Sequence, residues 1–288
     1  MKLKFLFAFL LLPFVFFIFS TSRAAQGDIY IIEVADAISP GTAEFIQNSI
    51  AKAEAEQAAC IIIELDTPGG LAESMRLIVQ DILSSTVPVS VYVSPPGSRA
   101  ASAGVMITMA ADIAAMAPGT NIGAAHPVGA GGKDISGKMS EKVINDMVAQ
   151  AKSVAEKRGR NAEWVEQAIR ESVSVTETEA LKENIIDIIA KDTDDLIRQL
   201  NGRKIKDKGV LTLDKAEKVV VKPSLRTKIL KTISNPNIAY ILLMIGFAGL
   251  YFELSHPGAI FPGVIGGIAL ILAFFALQTL PVNYAGIL

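Results

Sequence analysis

Three apolar patterns follow one another along the chain. Near its start the run from Phe5 to Phe19 is almost unbroken, with Lys2 and Lys4 before it and Ser22-Arg23-Ala24 after it. A charged n-region, an apolar h-region and a small-residue cleavage site in that order predict a secretory signal peptide over residues 1–24. The run is short for a stable membrane span. From Gln26 to Asn201 the pattern changes, and apolar runs alternate with helical stretches. Ile29 to Val34, Ala59 to Leu65 and Val87 to Val93 are rich in β-branched residues and nearly all apolar, as strands covered on both faces are. Helical spacing fits Gly41 to Glu56, Leu71 to Ser84, Ser102 to Ala111 and Ser140 to Arg158. Strand–helix alternation with buried strands predicts a layered α/β domain over residues 26–201, built on a largely parallel sheet.

The third pattern begins after a polar, lysine-rich stretch from Lys204 to Lys222. That stretch predicts a linker over residues 202–234, a tether or an edge hairpin leading to the membrane. Ile238 to Leu254 and Ile260 to Leu280 are then long and apolar, joined by Ser255-His256-Pro257-Gly258. About twenty such residues cross roughly 30 Å of hydrocarbon. Residues 235–288 therefore read as a membrane hairpin, the start of a longer membrane region, with Glu253 tolerable near an interface. Lys222, Arg226, Lys228 and Lys231 lie just before it. Export of the α/β domain places them on the outer side, against the usual bias. The signal peptide is the stronger cue and puts that domain on the extracytoplasmic side of a multi-pass membrane protein.

Composition agrees. The 288 residues are 51% hydrophobic and 19% charged, with a mean hydropathy of +0.41, too apolar for a chain that never meets lipid. A net charge of −2 gives no basic surface for nucleic acid. Cys60 is the single cysteine. It rules out an internal disulfide and reads as a small core residue beside Ile61-Ile62-Ile63. One cysteine, two distant histidines and no carboxylates at ligand spacing give no metal site, and nothing calls for a cofactor.

Three segments carry candidate chemistry. Asp66-Thr67-Pro68-Gly69-Gly70 falls between a strand and a helix. Paired glycines there let the backbone approach a ligand, and N–H groups near a helix start suit a developing negative charge. The plain alternative is a tight turn. Pro95-Pro96-Gly97-Ser98-Arg99-Ala100-Ala101-Ser102-Ala103-Gly104 follows the strand ending at Val93. A serine among small residues at a helix start has an accessible hydroxyl beside a positive backbone end, though it serves equally as an N-cap. Pro118 to Val128 is an extended segment able to line a cleft, followed by the glycine-rich loop Gly129 to Gly132.

The order DTPGG, PPGSRAASAG, APGTNIGAAHPV resembles the NfeD family of membrane-bound proteases, partners of stomatin-like (SPFH) proteins, within the broader ClpP/crotonase-like fold class. Ala151 to Asn161 is similar to the family's lysine-bearing helix, and Asn235-Pro236-Asn237 through Gly266 to its first membrane segments. The resemblance implies a serine protease in which Ser102 is the nucleophile, Lys152 the base, and Gly70 and Ala103 the oxyanion-hole donors. Gly69 shapes the turn. The leading function is then an endopeptidase that cuts extended, apolar segments near the membrane, with the strand near Asn121 to Ala125, and Asn121, Ile122 and Gly123 in it, as the place where such a substrate pairs by strand addition. It also implies a peptide or membrane-protein substrate and a homo-oligomer. A lysine is a base only when its pKa is pulled well below about 10.4 by burial. On a helix from Ser140 to Arg158, Lys152 lies at the edge of the apolar stripe and Lys142 almost opposite, in solvent. His126, 24 residues after Ser102, is the rival base, being the commoner one near neutral pH. Two other functions compete: an acyl-CoA enzyme of the same fold class, and a non-catalytic membrane scaffold for a stomatin-like protein. Export disfavours the first, because coenzyme A is not expected there.

Overall fold

The computed structural model describes residues 27–128, 137–225, 228, 232, 236–256 and 260–277. The expected signal peptide, the loop Gly129 to Gly132, and Arg226 and Lys231 lie outside the described residues. Strands β1 (Ile29–Val34), β2 (Cys60–Leu65), β3 (Val89–Val93), β5 (Ile113–Met116), β8 (Ile188–Ile189) and β11 (Lys218–Val221) form one six-stranded sheet in the order β11-β1-β2-β3-β5-β8. Every pairing in it is parallel. Alternate residues feed two cores, as the two-residue period of a strand requires. Ile61, Ile63 and Leu65 face one core with Val91, Val93, Ile46, Ile78 and Met106. Cys60, Ile62 and Tyr92 face the other with Leu196 and Leu200. Ile61, Ile62 and Ile63 are all fully buried, and each such side chain contributes about 1.5–3 kcal/mol. Cys60 is a core residue as expected; burial pushes its thiol up to about 12.

Helices α1 (Pro40–Ala55), α2 (Ala72–Ser84), α3 (Ala103–Ala110), α4 (Lys138–Arg158) and α5 (Ala162–Arg170) supply the first core. Short β4 (Arg99–Ala101), β6 (Asn121–Gly123) and β7 (Ser174–Thr176) form a second sheet in the order β4-β6-β7. Next come α6 (Glu177–Lys182) and α7 (Thr193–Leu200), and then the hairpin β9 (Lys204–Ile205) and β10 (Gly209–Val210).

The supposed linker is corrected over its first part. β11 is a full partner of β1, from Ile29↔Lys218 to Ile32↔Val221. Lys208 in the hairpin reaches the buried Asp112 carboxylate at 2.6 Å. The α/β body therefore continues to Val221. The lysines that read as a tether are solvent-side or ion-paired positions on a hairpin and an edge strand, too short for sequence periodicity to reveal.

Helices α8 (Pro236–Ser255) and α9 (Ile260–Leu277) form an antiparallel apolar pair. Ile238–Ser255 is long and apolar enough to cross a membrane. The backbones come together at glycines: a Cβ on Gly249 would meet Gly266 Cα at 2.8 Å, and one on Gly266 would meet the Gly246 carbonyl oxygen at 2.8 Å. Small residues permit that approach where lipid offers no hydrophobic driving force. Tyr240, Met244, Phe247, Phe261 and Ile268 point outward.

Candidate active site

The residues singled out after β2 and β3 meet at the carboxyl ends of the parallel strands, where open α/β sheets place ligands. β2 ends at Leu65 and leads into Asp66 to Gly70, and then α2. β3 leads through Ser94 to Ser98 into β4, Ser102 and α3. A bridge from Thr67 to Ala100 ties the two segments. Thr67 N–H donates to the Arg99 carbonyl at 2.8 Å and Ala101 N–H to the Thr67 carbonyl at 3.1 Å.

Ser102 is the N-cap of α3 at φ 52°, ψ −112°. A side chain at positive φ costs of order 1–3 kcal/mol and persists only where neighbours over-determine it. Here the Ser102 N–H donates to the Gly123 carbonyl at 3.1 Å, and its carbonyl accepts from Val105 N–H at 3.0 Å. The strained turn lifts a half-buried hydroxyl off the helix end, and among the described residues Oγ makes no hydrogen bond.

Gly69 sits against this serine. Its φ is +113°, and a Cβ there would lie 2.6 Å from Ser102 Cβ and 3.1 Å from Oγ. A Cβ on Gly70 would strike the Ile38 carbonyl oxygen at 2.2 Å. The turn is held on its far side by Ile38, whose N–H donates to the Gly69 carbonyl and whose carbonyl accepts from Leu71 N–H, both at 2.8 Å. That pairing leaves the Gly70 N–H facing the other way. The Ala103 N–H, first in its helix, is one of the donors a helix leaves without an internal partner. Among the described residues neither N–H has an acceptor.

The strand Asn121, Ile122, Gly123 lies beside Ser102, but it has no free edge. β6 pairs with β4 on one side and β7 on the other; Ile122 and Gly123 are buried and only Asn121 is exposed. Strand addition at these residues is therefore corrected: their hydrogen-bonding groups are already taken within the sheet.

Among the described residues neither candidate base hydrogen-bonds to the serine; each has another partner. His126 holds Nδ1 at 3.0 Å from the Ile169 carbonyl oxygen of α5. Lys152 Nζ donates to Glu166 Oε2 at 2.7 Å, and Arg170 Nε donates to Glu166 Oε1 at 2.7 Å. The Lys152 side chain is 37% exposed. The hydrogen bond from Lys152 to Glu166, reinforced by the carboxylate's charge, holds the lysine above its ordinary pKa; that bond and the one from Arg170 hold Glu166 below its own. The sequence reading requires the opposite for a base, burial and a depressed pKa, so the expected environment of Lys152 is corrected. Its partner escaped sequence reading because Glu166 lies on α5, a short helix whose apolar positions were not singled out.

Helix α4 ends beside the end of α3. Arg158 Nε donates to the Ala110 carbonyl at 2.7 Å and Arg158 Nη1 to Asp112 at 2.6 Å. Its other half reaches the first turns of α2, where Arg76 Nη2 meets Asp146 at 3.2 Å. Exposed Lys142 lies one turn before Asp146 on the same face.

Two family models cover most of the chain: the NfeD1b N-terminal domain over residues 28–222 and the NfeD integral membrane domain over residues 237–288. The chain is 38% identical to the membrane-bound protease PH1510 of Pyrococcus horikoshii, over 97% of its own length and 65% of the relative's. It thus spans just under two thirds of that protein. A solved 1510-N membrane-bound stomatin-specific protease, as a lysine-to-alanine variant in complex with a substrate peptide, matches with TM-score 0.67 at 38% identity. The match covers 73% of this chain and 98% of that one. A serine-to-alanine variant of 1510-N matches with TM-score 0.65 at 38% identity, covering 69% of this chain and 100% of that one. On these matches the chain belongs to the NfeD family, with an α/β amino-terminal domain followed by the family's membrane domain.

Proposed function

We propose that this chain is a membrane-anchored serine endopeptidase that cuts extended, apolar segments of a peptide or membrane-protein substrate on the extracytoplasmic side, with Ser102 as nucleophile and a lysine of α4 as base. One observation carries the reading. A serine at positive φ has a hydroxyl without a partner and lies against Gly69, and the N–H groups of the residues next to this pair, Gly70 and Ala103, have no acceptor among the described residues. Attack of Oγ on the scissile carbonyl forms the C–O bond, while the hydroxyl proton passes to a neutral lysine amine. The carbonyl oxygen, now an oxyanion, receives the two N–H groups. Collapse breaks the C–N bond, and the lysine returns the proton to the leaving amine. Water then hydrolyses the acyl-serine with the same lysine as base. The exposed edge at Gly70, rather than β6, is where an extended substrate pairs.

The base is the open member of the pair. Lys152 serves only after leaving Glu166 and losing a proton that the carboxylate retains. Lys142 is the alternative: it lies one turn before Asp146, which meets Arg76 in the first turns of α2, the helix that follows Gly70. A stomatin-like protein as substrate is supported by the name of the 1510-N structure. A homo-oligomer remains part of the proposal through the family.

The test uses the full chain in detergent micelles and a serine-reactive fluorophosphonate. Labelling of the wild type, lost in Ser102→Ala, together with cleavage of an apolar peptide, supports the protease. A folded wild type that neither labels nor cleaves at any pH from about 6 to 10, a window spanning partial lysine deprotonation, overturns it and leaves the scaffold reading.

A further inference from the structure

Thr67 is fully buried between the two halves of the site. Its hydroxyl oxygen accepts the Gly69 N–H at 3.1 Å and lies 3.2 Å from the Gly69 carbonyl oxygen. That carbonyl also receives the Ile38 N–H. Both ends of residue Gly69 are thereby fixed, and the next N–H along the chain is that of Gly70. On its other side the Thr67 methyl occupies the space beside Gly104: a Cβ on that glycine would be 2.8 Å from Thr67 Cγ2 and 3.3 Å from Ala100 Cβ. Gly104 adjoins Ala103, the second donor. The Thr67 backbone meanwhile pairs with Arg99 and Ala101 on the strand that delivers Ser102.

From these contacts we infer that Thr67 is the positioning residue of the oxyanion hole, its hydroxyl setting the direction of the Gly70 N–H while its methyl only fills space beside Gly104. The inference rests on the protease reading above. It explains why a threonine, rather than an apolar residue of equal volume, fills a fully buried place: valine retains the methyl contact and strands the Gly69 N–H, whereas serine retains the hydroxyl and gives up only the packing. An oxyanion donor acts only when aimed at the developing charge, so the effect belongs in turnover and not in substrate binding.

The experiment compares wild type, Thr67→Val and Thr67→Ser as full chains in micelles, with active sites counted by fluorophosphonate labelling so that partly folded protein does not enter the rate. For Thr67→Val, kcat per titrated site falls by about 10- to 100-fold, somewhat less than outright loss of one donor, with KM within about twofold. Thr67→Ser, which loses more packing, stays within about threefold of wild-type kcat. A purely structural role predicts the reverse order, since the missing methyl would then matter more. Wild-type kcat in Thr67→Val, or a loss in Thr67→Ser as deep as in Thr67→Val, overturns the inference. Should Thr67→Val not fold, Thr67→Ala is read against Thr67→Ser, which differs from it only in the hydroxyl: kcat per titrated site is expected to be about 10-fold or more lower in Thr67→Ala, and equal kcat in the two overturns the inference. An unlabelled, inactive wild type refutes the protease reading itself, an outcome distinct from an active wild type with an unimpaired Thr67→Val.

Discussion

The two sides of the site are built by different means. On the electrophile side, Gly69 is tied to Ile38, Ser102 to Gly123, and buried Thr67 to Arg99 and Ala101, all by backbone hydrogen bonds of 2.8–3.1 Å. On the base side, Lys152, Glu166 and Arg170 are linked by ion pairs whose side chains are 30–41% exposed. Backbone contacts in a buried turn do not respond to salt or pH, while exposed ion pairs are screened and exchange partners at little cost. On the proposed reading, the turn that carries the Gly70 and Ala103 N–H groups is held by the same backbone contacts before any substrate binds. The base is set by a network loose enough to rearrange when a substrate or partner arrives.

The largest expected break in that comparison is Ser102→Ala, which removes the group both sides serve. Peptide cleavage drops by at least about 10⁴-fold, and fluorophosphonate labelling disappears. Next are the α4 lysines, taken separately. Loss of the true base costs about 10³-fold in kcat, within the range for general-base catalysis, and loss of the other leaves kcat within about threefold. If Lys142→Ala carries the loss, Lys152 is structural; if Lys152→Ala carries it, the Glu166 pair must open during turnover.

Gly69→Ala attacks the preformed side. Its Cβ would lie 2.6 Å from Ser102 Cβ at a φ of +113°, so the turn or the serine has to move. We expect kcat to fall about 10²-fold, comparable to losing one oxyanion donor, and unfolding experiments to show a stability loss of about 1–3 kcal/mol. An unimpaired Gly69→Ala would mean that the hole is assembled elsewhere.

The smallest and sharpest effect is a pH shift. The Glu166 carboxylate stabilises the Lys152 ammonium, so Glu166→Gln lowers the Lys152 pKa. If Lys152 is the base, the rising limb of kcat/KM against pH moves to lower pH in Glu166→Gln. If Lys142 is the base, the limb stays where it is. The same pair has a small linkage to folding. The raised lysine contributes stability below the ordinary lysine range and loses it as pH rises through its folded value. The lowered Glu166 contributes above the ordinary glutamate range and loses it as pH falls. Both side chains are partly exposed, so high salt should erase most of this, as thermal melts in low and high salt would show.

The sequence alone was enough for the elements with a strong local signal. β1 runs over Ile29–Val34 as read, and β2, β3 and α1 to α4 begin within two residues of their expected starts. Strands buried on both faces must be apolar throughout, and helices must repeat their apolar positions; these requirements are visible without any partner. DTPGG and the serine segment were legible as strand-end turns for the same local reason, and their order pointed to a family. Tertiary structure decided what depended on neighbours distant in sequence. β11 reads as polar linker because an edge strand needs only half its residues buried. β6 reads as an open docking strand until β4 and β7 take its two edges. Lys152 reads as a helix-edge lysine about to be buried, and only the packing of α5 on α4 puts Glu166 beneath it. Local pattern fixes which segments can be strand, turn or helix. Whether a backbone edge is free or a lysine is charged depends on which groups the fold brings within a few ångströms, because hydrogen bonds and pKa shifts act over that distance and not along the chain.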